Sequence, residues 1–68
     1  MIAYHIYWVD LDKCEANILA AYRTRDEATN GYHRMMSRTD KPVGIDVIPL
    51  DEGTDDSYFF EGPALRDS

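Results

Sequence analysis

Sixty-eight residues make one domain, and a chain of that size buries only about 60% of the surface it exposes when unfolded, so the core is small and a second domain has no room. Hydrophobic residues at 44% and charged residues at 29% are the balance of a globular chain and exclude a disordered tail or a membrane-spanning composition. Thirteen Asp and Glu against seven Lys and Arg leave a net charge of -6, which repels nucleic acid and acidic membranes and attracts a basic protein surface.

The segment Ile2 to Val9 is rich in aromatic and branched residues and alternates Ile2, Tyr4, Ile6 and Trp8 with Ala3, His5, Tyr7 and Val9, which predicts a central strand with the first set buried. The other face is expected to be half-exposed, with Tyr7, Val9 and His5 on it, and left uncovered by the helix unless the Tyr58 to Phe60 segment extends or covers it. The acids of Asp10-Leu11-Asp12-Lys13 mark a turn, and Glu15 to Arg23 supplies a second extended run that closes an antiparallel hairpin. Ala and Glu are weak strand formers, so a helix over Cys14 to Tyr22 is the competing reading.

Thr24-Arg25-Asp26-Glu27 fits a capping box in which the Thr24 hydroxyl accepts from the Glu27 amide and the Glu27 carboxylate returns to the Thr24 amide. Ala28, Tyr32, Met35 and Met36 then fall on one helical face, directed at the sheet. Gly31 inside that helix costs roughly 1 kcal/mol relative to Ala unless helix and sheet approach closely there. Arg34, Arg38 and Lys41 complement the negative end of the helix dipole, and Pro42 stops the helix.

Val43 to Leu50 reads as a third strand, placed at a sheet edge by Pro49. A polar loop from Asp51 to Ser57 follows, then a short aromatic segment, Tyr58 to Glu61, which is a possible fourth strand. The order implies an α+β domain over residues 1-62: a three- or four-stranded, mainly antiparallel sheet with one helix on one face, ββαβ or ββαββ. A crossover from the second strand through the helix to the third puts the first strand between them. Residues 63-68 are expected to be a frayed tail.

The residues point away from catalysis. His5 and His33 lack metal-ligand partners at usual spacing, so no metal and no cofactor is expected. Cys14 has no cationic neighbour to favour its thiolate, and a single cysteine closes no internal disulfide. Asp10-Leu11-Asp12 and Asp51 to Asp56 resemble calcium loops only superficially, lacking the alternation, central glycine and distal glutamate. No phosphate cradle or nucleophile elbow is present, so the chain reads as a non-enzyme. With no basic leader before an apolar run and no apolar stretch of eighteen, the cytoplasm is the expected compartment.

What remains is surface charge. Residues 51 to 68 carry six acids against Arg66, net -5, whereas residues 1 to 50 carry seven acids against six bases, net -1. Alternate side chains on a strand stand about 6.6 to 6.8 Å apart, close to the spacing of phosphates along a nucleic-acid strand. Asp10 and Asp12 with Asp51, Glu52, Asp55 and Asp56 are therefore the candidate partner-binding acids, and Tyr7 and Tyr58 the candidate apolar anchors. The plain alternative is a solvated acidic segment that aids solubility, with the aromatics in the core.

A short acidic chain built from Ile2 to Val9, Ala16 to Tyr22, the Thr24-Arg25-Asp26-Glu27-Ala28 helix start and Val43 to Leu50 resembles, in the architecture of residues 1 to 50, the small phage and mobile-element proteins that include type I anti-CRISPRs. The resemblance implies a non-enzymatic inhibitor, in the host cell cytoplasm if phage-encoded. It would dock on the basic nucleic-acid-binding surface of a CRISPR effector subunit, with DNA mimicry as one mode, and would itself bind neither nucleic acid nor membrane. The competing class is a small structural or regulatory module that self-associates through the uncovered face or the third-strand edge, so the chain is expected as a monomer or homodimer.

Overall fold

A computed structural model describes residues 1–66. In chain order it contains β1 (Ile2–Asp10), β2 (Glu15–Tyr22), α1 (Arg25–Arg38), β3 (Val43–Pro49), one 3-10 turn (Asp56–Tyr58) and β4 (Phe60–Glu61). The sheet order is β3-β1-β2-β4, with every pairing antiparallel. The expected α+β architecture is therefore observed, with a fourth strand and with β1 between β2 and β3. Tyr58 does not belong to that strand: the Asp55 carboxylate accepts from the Ser57 amide and turns the chain into the 3-10 segment first.

Glu15 to Tyr22 is a strand despite its alanines, because β1 offers a complete ladder from Tyr4↔Tyr22 to Asp10↔Glu15, irregular only between Ile6 and Tyr7. Tertiary pairing here overrides a weak local preference. The helix starts as predicted at Thr24, whose hydroxyl oxygen accepts from the Glu27 amide at 3.3 Å. The Glu27 carboxylate accepts from that same hydroxyl at 3.0 Å instead of returning to the Thr24 amide.

The core gathers Ile6, Ala20, Tyr22, Ala28, Met35 and Leu65, with Tyr4, Leu19, Tyr32, Val43 and Ile45 packed around it. Ile6 is fully buried, but Ile2 is 47% exposed and Trp8 only half-buried, its ring under the Lys41 ammonium at 3.9 Å. The expectation that all four of Ile2, Tyr4, Ile6 and Trp8 are core is corrected by length. Fourteen helical residues cover about 21 Å, whereas nine strand residues run for about 30 Å, so both ends of β1 outreach the helix.

Met36 is likewise exposed. The buried line on α1 is Ala28, Gly31 and Met35, because Gly31 receives the Tyr22 ring. A Cβ at that position would stand 2.8 Å from Tyr22 Cε2. This close approach is the compensation that an interior helical glycine requires, and it turns the contact stripe away from Met36.

The face opposite the helix is covered in part, as the alternative for the Tyr58 to Phe60 segment allows: Ala3 and Ala21 on it are buried and Tyr58 stacks on His5 with ring centroids 5.7 Å apart, while Tyr7 and Val9 stay half-exposed. One further expectation is overturned. The chain beyond Gly62 is not frayed through Arg66. Leu65 is fully buried in the core, the Leu65 amide donates to the Gly62 carbonyl at 3.0 Å, and Arg34 and Arg38 donate to the Leu65 and Ala64 carbonyls at 2.8 and 2.7 Å. A core this small recruits a leucine from the end of the chain. Asp67 and Ser68, the rest of the expected tail, lie outside the described residues.

Leu65→Ala should therefore destabilise the fold by about 2 to 5 kcal/mol, read as a drop in urea midpoint. A midpoint equal to wild type would mean that the terminal turn is not docked.

Candidate functional site

The candidate acids fall into two groups that the sheet holds apart. Asp10 ends β1 and Asp12 lies in the turn after it, whereas Asp51 to Asp56 follow β3, whose last residue Pro49 pairs with Ile2 at the start of β1. The eight steps from Ile2 to Asp10 separate the groups by roughly 26 Å, so they do not join into one phosphate-like row.

At the hairpin end, Asp10 is half-buried and structural. Its Oδ1 accepts from the Asp12 and Lys13 amides at 3.1 and 3.3 Å, an Asx-type turn, and its Oδ2 lies 4.0 Å from Lys41 Nζ. Asp12 is exposed, on a shallow hollow shared with Asp40 and Lys41. Cys14 closes the turn at φ 53°, a left-handed conformation that a side chain disfavours.

At the opposite end, Asp55 and Asp56 shape their loop. Asp55 accepts from the Ser57 hydroxyl and amide, which holds its carboxyl below the usual range, the hydroxyl contributing most. Asp56 pairs with Arg23, whose guanidinium covers the Phe59 ring at 4.4 Å. Asp51 and Glu52 are exposed, and their carboxylates make no hydrogen bond or ion pair among the described residues. The helix also begins here, since α1 follows the end of β2 at Tyr22, opposite Tyr4. This pole therefore carries Asp26, Glu27, Asp51, Glu52, Asp55 and Asp56 against Arg23 and Arg25. Local spacing marks Glu27 only as a capping-box residue; that Asp26 and Glu27 share this end of the sheet with the chain after β3 comes from the path of the sheet.

The two candidate aromatics are chiefly engaged within the fold. Tyr7 lies across Gly44, its partner on β3, where a Cβ would overlap the ring. Tyr58 shares a hydrogen bond with His5 Nε2 at 2.7 Å and meets Phe59 edge-on. Both remain half-exposed.

Sequence reasoning missed a polar cluster between helix and sheet. The Tyr22 hydroxyl donates to Glu61 Oε2 at 2.6 Å, and Arg34 Nη2 donates to the same oxygen at 3.0 Å. Burial first, then the hydrogen bond to Glu61, raises the Tyr22 phenol well above its ordinary pKa. The Tyr22 hydroxyl, then Arg34, holds the Glu61 carboxyl below 4.5. Tyr22 and Glu61 are 39 positions apart, so no local spacing signals the pair.

Among the described residues no three His, Cys, Asp or Glu side chains gather as a metal-holding group, and no helix is long and apolar enough to cross a membrane. Compared with known proteins, the chain matches no family model, no curated protein and no solved structure. The site that the geometry defines is a charged surface pole on an α+β scaffold.

Two outcomes follow from the local chemistry. Cys14→Gly should stabilise the hairpin by up to about 1 kcal/mol, seen as a raised melting temperature; a lowered one would contradict the left-handed turn. Glu61, with a depressed folded pKa, contributes stability that is present above its unfolded pKa near 4.5 and lost as pH falls through the folded value. The melting-temperature gap between wild type and Glu61→Gln should thus be widest near neutrality and shrink in acid, and a gap independent of pH would disprove the linkage.

Proposed function

We propose that this chain is a non-enzymatic protein ligand that occupies a basic surface on a nucleic-acid-handling complex and keeps nucleic acid from it. A type I CRISPR effector is the partner class that the architectural resemblance implies. The observation that supports the reading is the acidic pole: Asp51 and Glu52 stand exposed, without partners among the described residues, on a loop whose shape is held by Asp55, Asp56 and Arg23. Carboxylates presented on an ordered loop lose little further freedom on docking, so more of the Coulomb attraction survives as affinity. Their field, on a chain of net charge -6, steers encounter with a basic partner.

The distance between the two acid groups changes the form of the mimicry. The pole acts as one compact contact, and Asp10, engaged by its own turn and near Lys41, has less charge to offer. Phe60, 47% exposed and adjoining the pole through a hollow shared with Arg23, Glu27 and Phe59, supplies an apolar contact there. Tyr7 and Tyr58, occupied by Gly44 and His5, are secondary.

Competition between this protein and target DNA for an isolated type I effector complex tests the reading. Asp51→Lys with Glu52→Lys should keep the fold, since exposed substitutions stay within about 0.5 kcal/mol each, and should weaken inhibition at least about tenfold, with a reduced salt dependence. Asp12→Lys should change it little. Equal inhibition by wild type and the pole variant at low and high salt, or none by wild type, would overturn the proposal.

A further inference from the structure

Residues 60–66 are held to the rest of the fold by contacts that converge on one side chain. β4 pairs with β2 at Ala20↔Glu61 and Ala21↔Phe60, whereas β1 pairs at seven positions with β2 and at seven with β3. Past that short ladder the Gly62 amide donates to the Leu19 carbonyl at 2.9 Å, an approach so close that a Cβ on Gly62 would stand 2.5 Å from the same oxygen. Arg66 Nε donates to the Glu61 carbonyl at 2.9 Å and folds the end of the segment back on its start. The Leu65 side chain fills the core, and the Glu61 carboxylate accepts from Tyr22 and Arg34.

We propose that residues 60–66 are a strap that opens as one unit while β1, β2, β3 and α1 stay folded, and that protonation of Glu61 releases it. The three long strands keep their ladders to one another without the strap, and α1 packs on all three. Segments with few ladder bonds open at lower free energy than the central strands of a sheet. The strap is also bonded to itself, Leu65 to Gly62 and Arg66 to Glu61, so its residues leave together and do not fray one by one.

Glu61 is the release because of what faces it. Tyr22 comes from β2, Arg34 from α1 and Arg66 from the strap itself, and all three carry their protons at neutral pH and in acid. Arg23, on the same hollow, pairs with Asp56. Glu27, the other carboxylate there, accepts from the Thr24 hydroxyl and makes no bond to the strap among the described residues. Glu61 is thus the strap anchor whose charge changes in acid. A neutral carboxyl forfeits the charge-assisted share of both its bonds, and Arg34 keeps the Leu65 carbonyl but loses its ionic partner on β4. The Tyr22 hydroxyl, then Arg34, holds the Glu61 carboxyl below 4.5, so the closure they give is present above the unfolded value and lost as pH falls through the folded one. Opening bares the backbone groups of Ala20 and Ala21 that β4 occupies, an unpaired strand edge.

The test is native-state amide hydrogen exchange of the full chain, read by NMR at about pH 7 and about pH 3.5 and expressed as protection factors, which removes the intrinsic pH dependence of exchange. The Gly62 and Leu65 amides should share one protection factor, at least about tenfold below that of the β1 amides at both pH values, and it should fall at least about threefold from neutral to acid. In Glu61→Gln that factor should already be lowered near neutrality and should be nearly independent of pH. Gly62 and Leu65 amides protected as well as those of β1, or an acid loss as large in Glu61→Gln as in wild type, overturns the proposal. If the variant fails to fold, the wild type decides: a strap factor that matches β1, or one that is unchanged between the two pH values, overturns it.

Discussion

Arg34 joins segments that share no other covalent or ladder connection. From the half-buried flank of α1 its guanidinium donates to Glu61 on β4 and to the Leu65 carbonyl beyond it, while Tyr22, at the end of β2, donates to the same Glu61. Two residues of β4 ladder are too few to hold an edge strand. The charge-assisted bonds of Arg34, stronger than neutral ones, keep Gly62 to Leu65 against the helix, and that in turn lets Leu65 complete the core. Tyr22 links the two halves of this arrangement, since its ring fills the space over Gly31 and its hydroxyl reaches Glu61.

The same economy explains the second sheet face. One helix cannot cover four strands, and the chain after β3 returns across the sheet so that Tyr58 lies against His5. Asp55 and Asp56, which look like free surface charge in the sequence, make that return possible by capping the 3-10 turn and pairing with Arg23. Charge at this pole thus has two duties. Some carboxylates shape the loop, and others, Asp51 and Glu52, are left facing solvent.

The molecule presents two surfaces of different chemistry. The acidic pole is electrostatic, acts at a distance and weakens with salt. The outer edge of β3, which no described strand pairs with, instead presents directional backbone hydrogen-bonding groups. They adjoin at Pro49, the pole lying beyond that end of the sheet and the edge along its outer side.

Local patterning by itself determined the first strand, the hairpin turn at Asp10, the helix start at Thr24, its stop before Pro42 and the edge position of Pro49, because each depends on neighbours a few residues away: alternation, a cap, a missing N–H. It also determined the excess of acid after residue 50. Only the tertiary structure decided that β2 is a strand and not a helix, through its ladder to β1. It also decided that Trp8 and Met36 leave the core while Leu65 enters it, and that the two acid groups stand at opposite ends. Those outcomes depend on the length of a helix relative to the strand beneath it, on a ring seated over Gly31, and on contacts between residues as far apart as Tyr22 and Glu61. Burial and proximity are properties of the assembled chain, and no local periodicity encodes them.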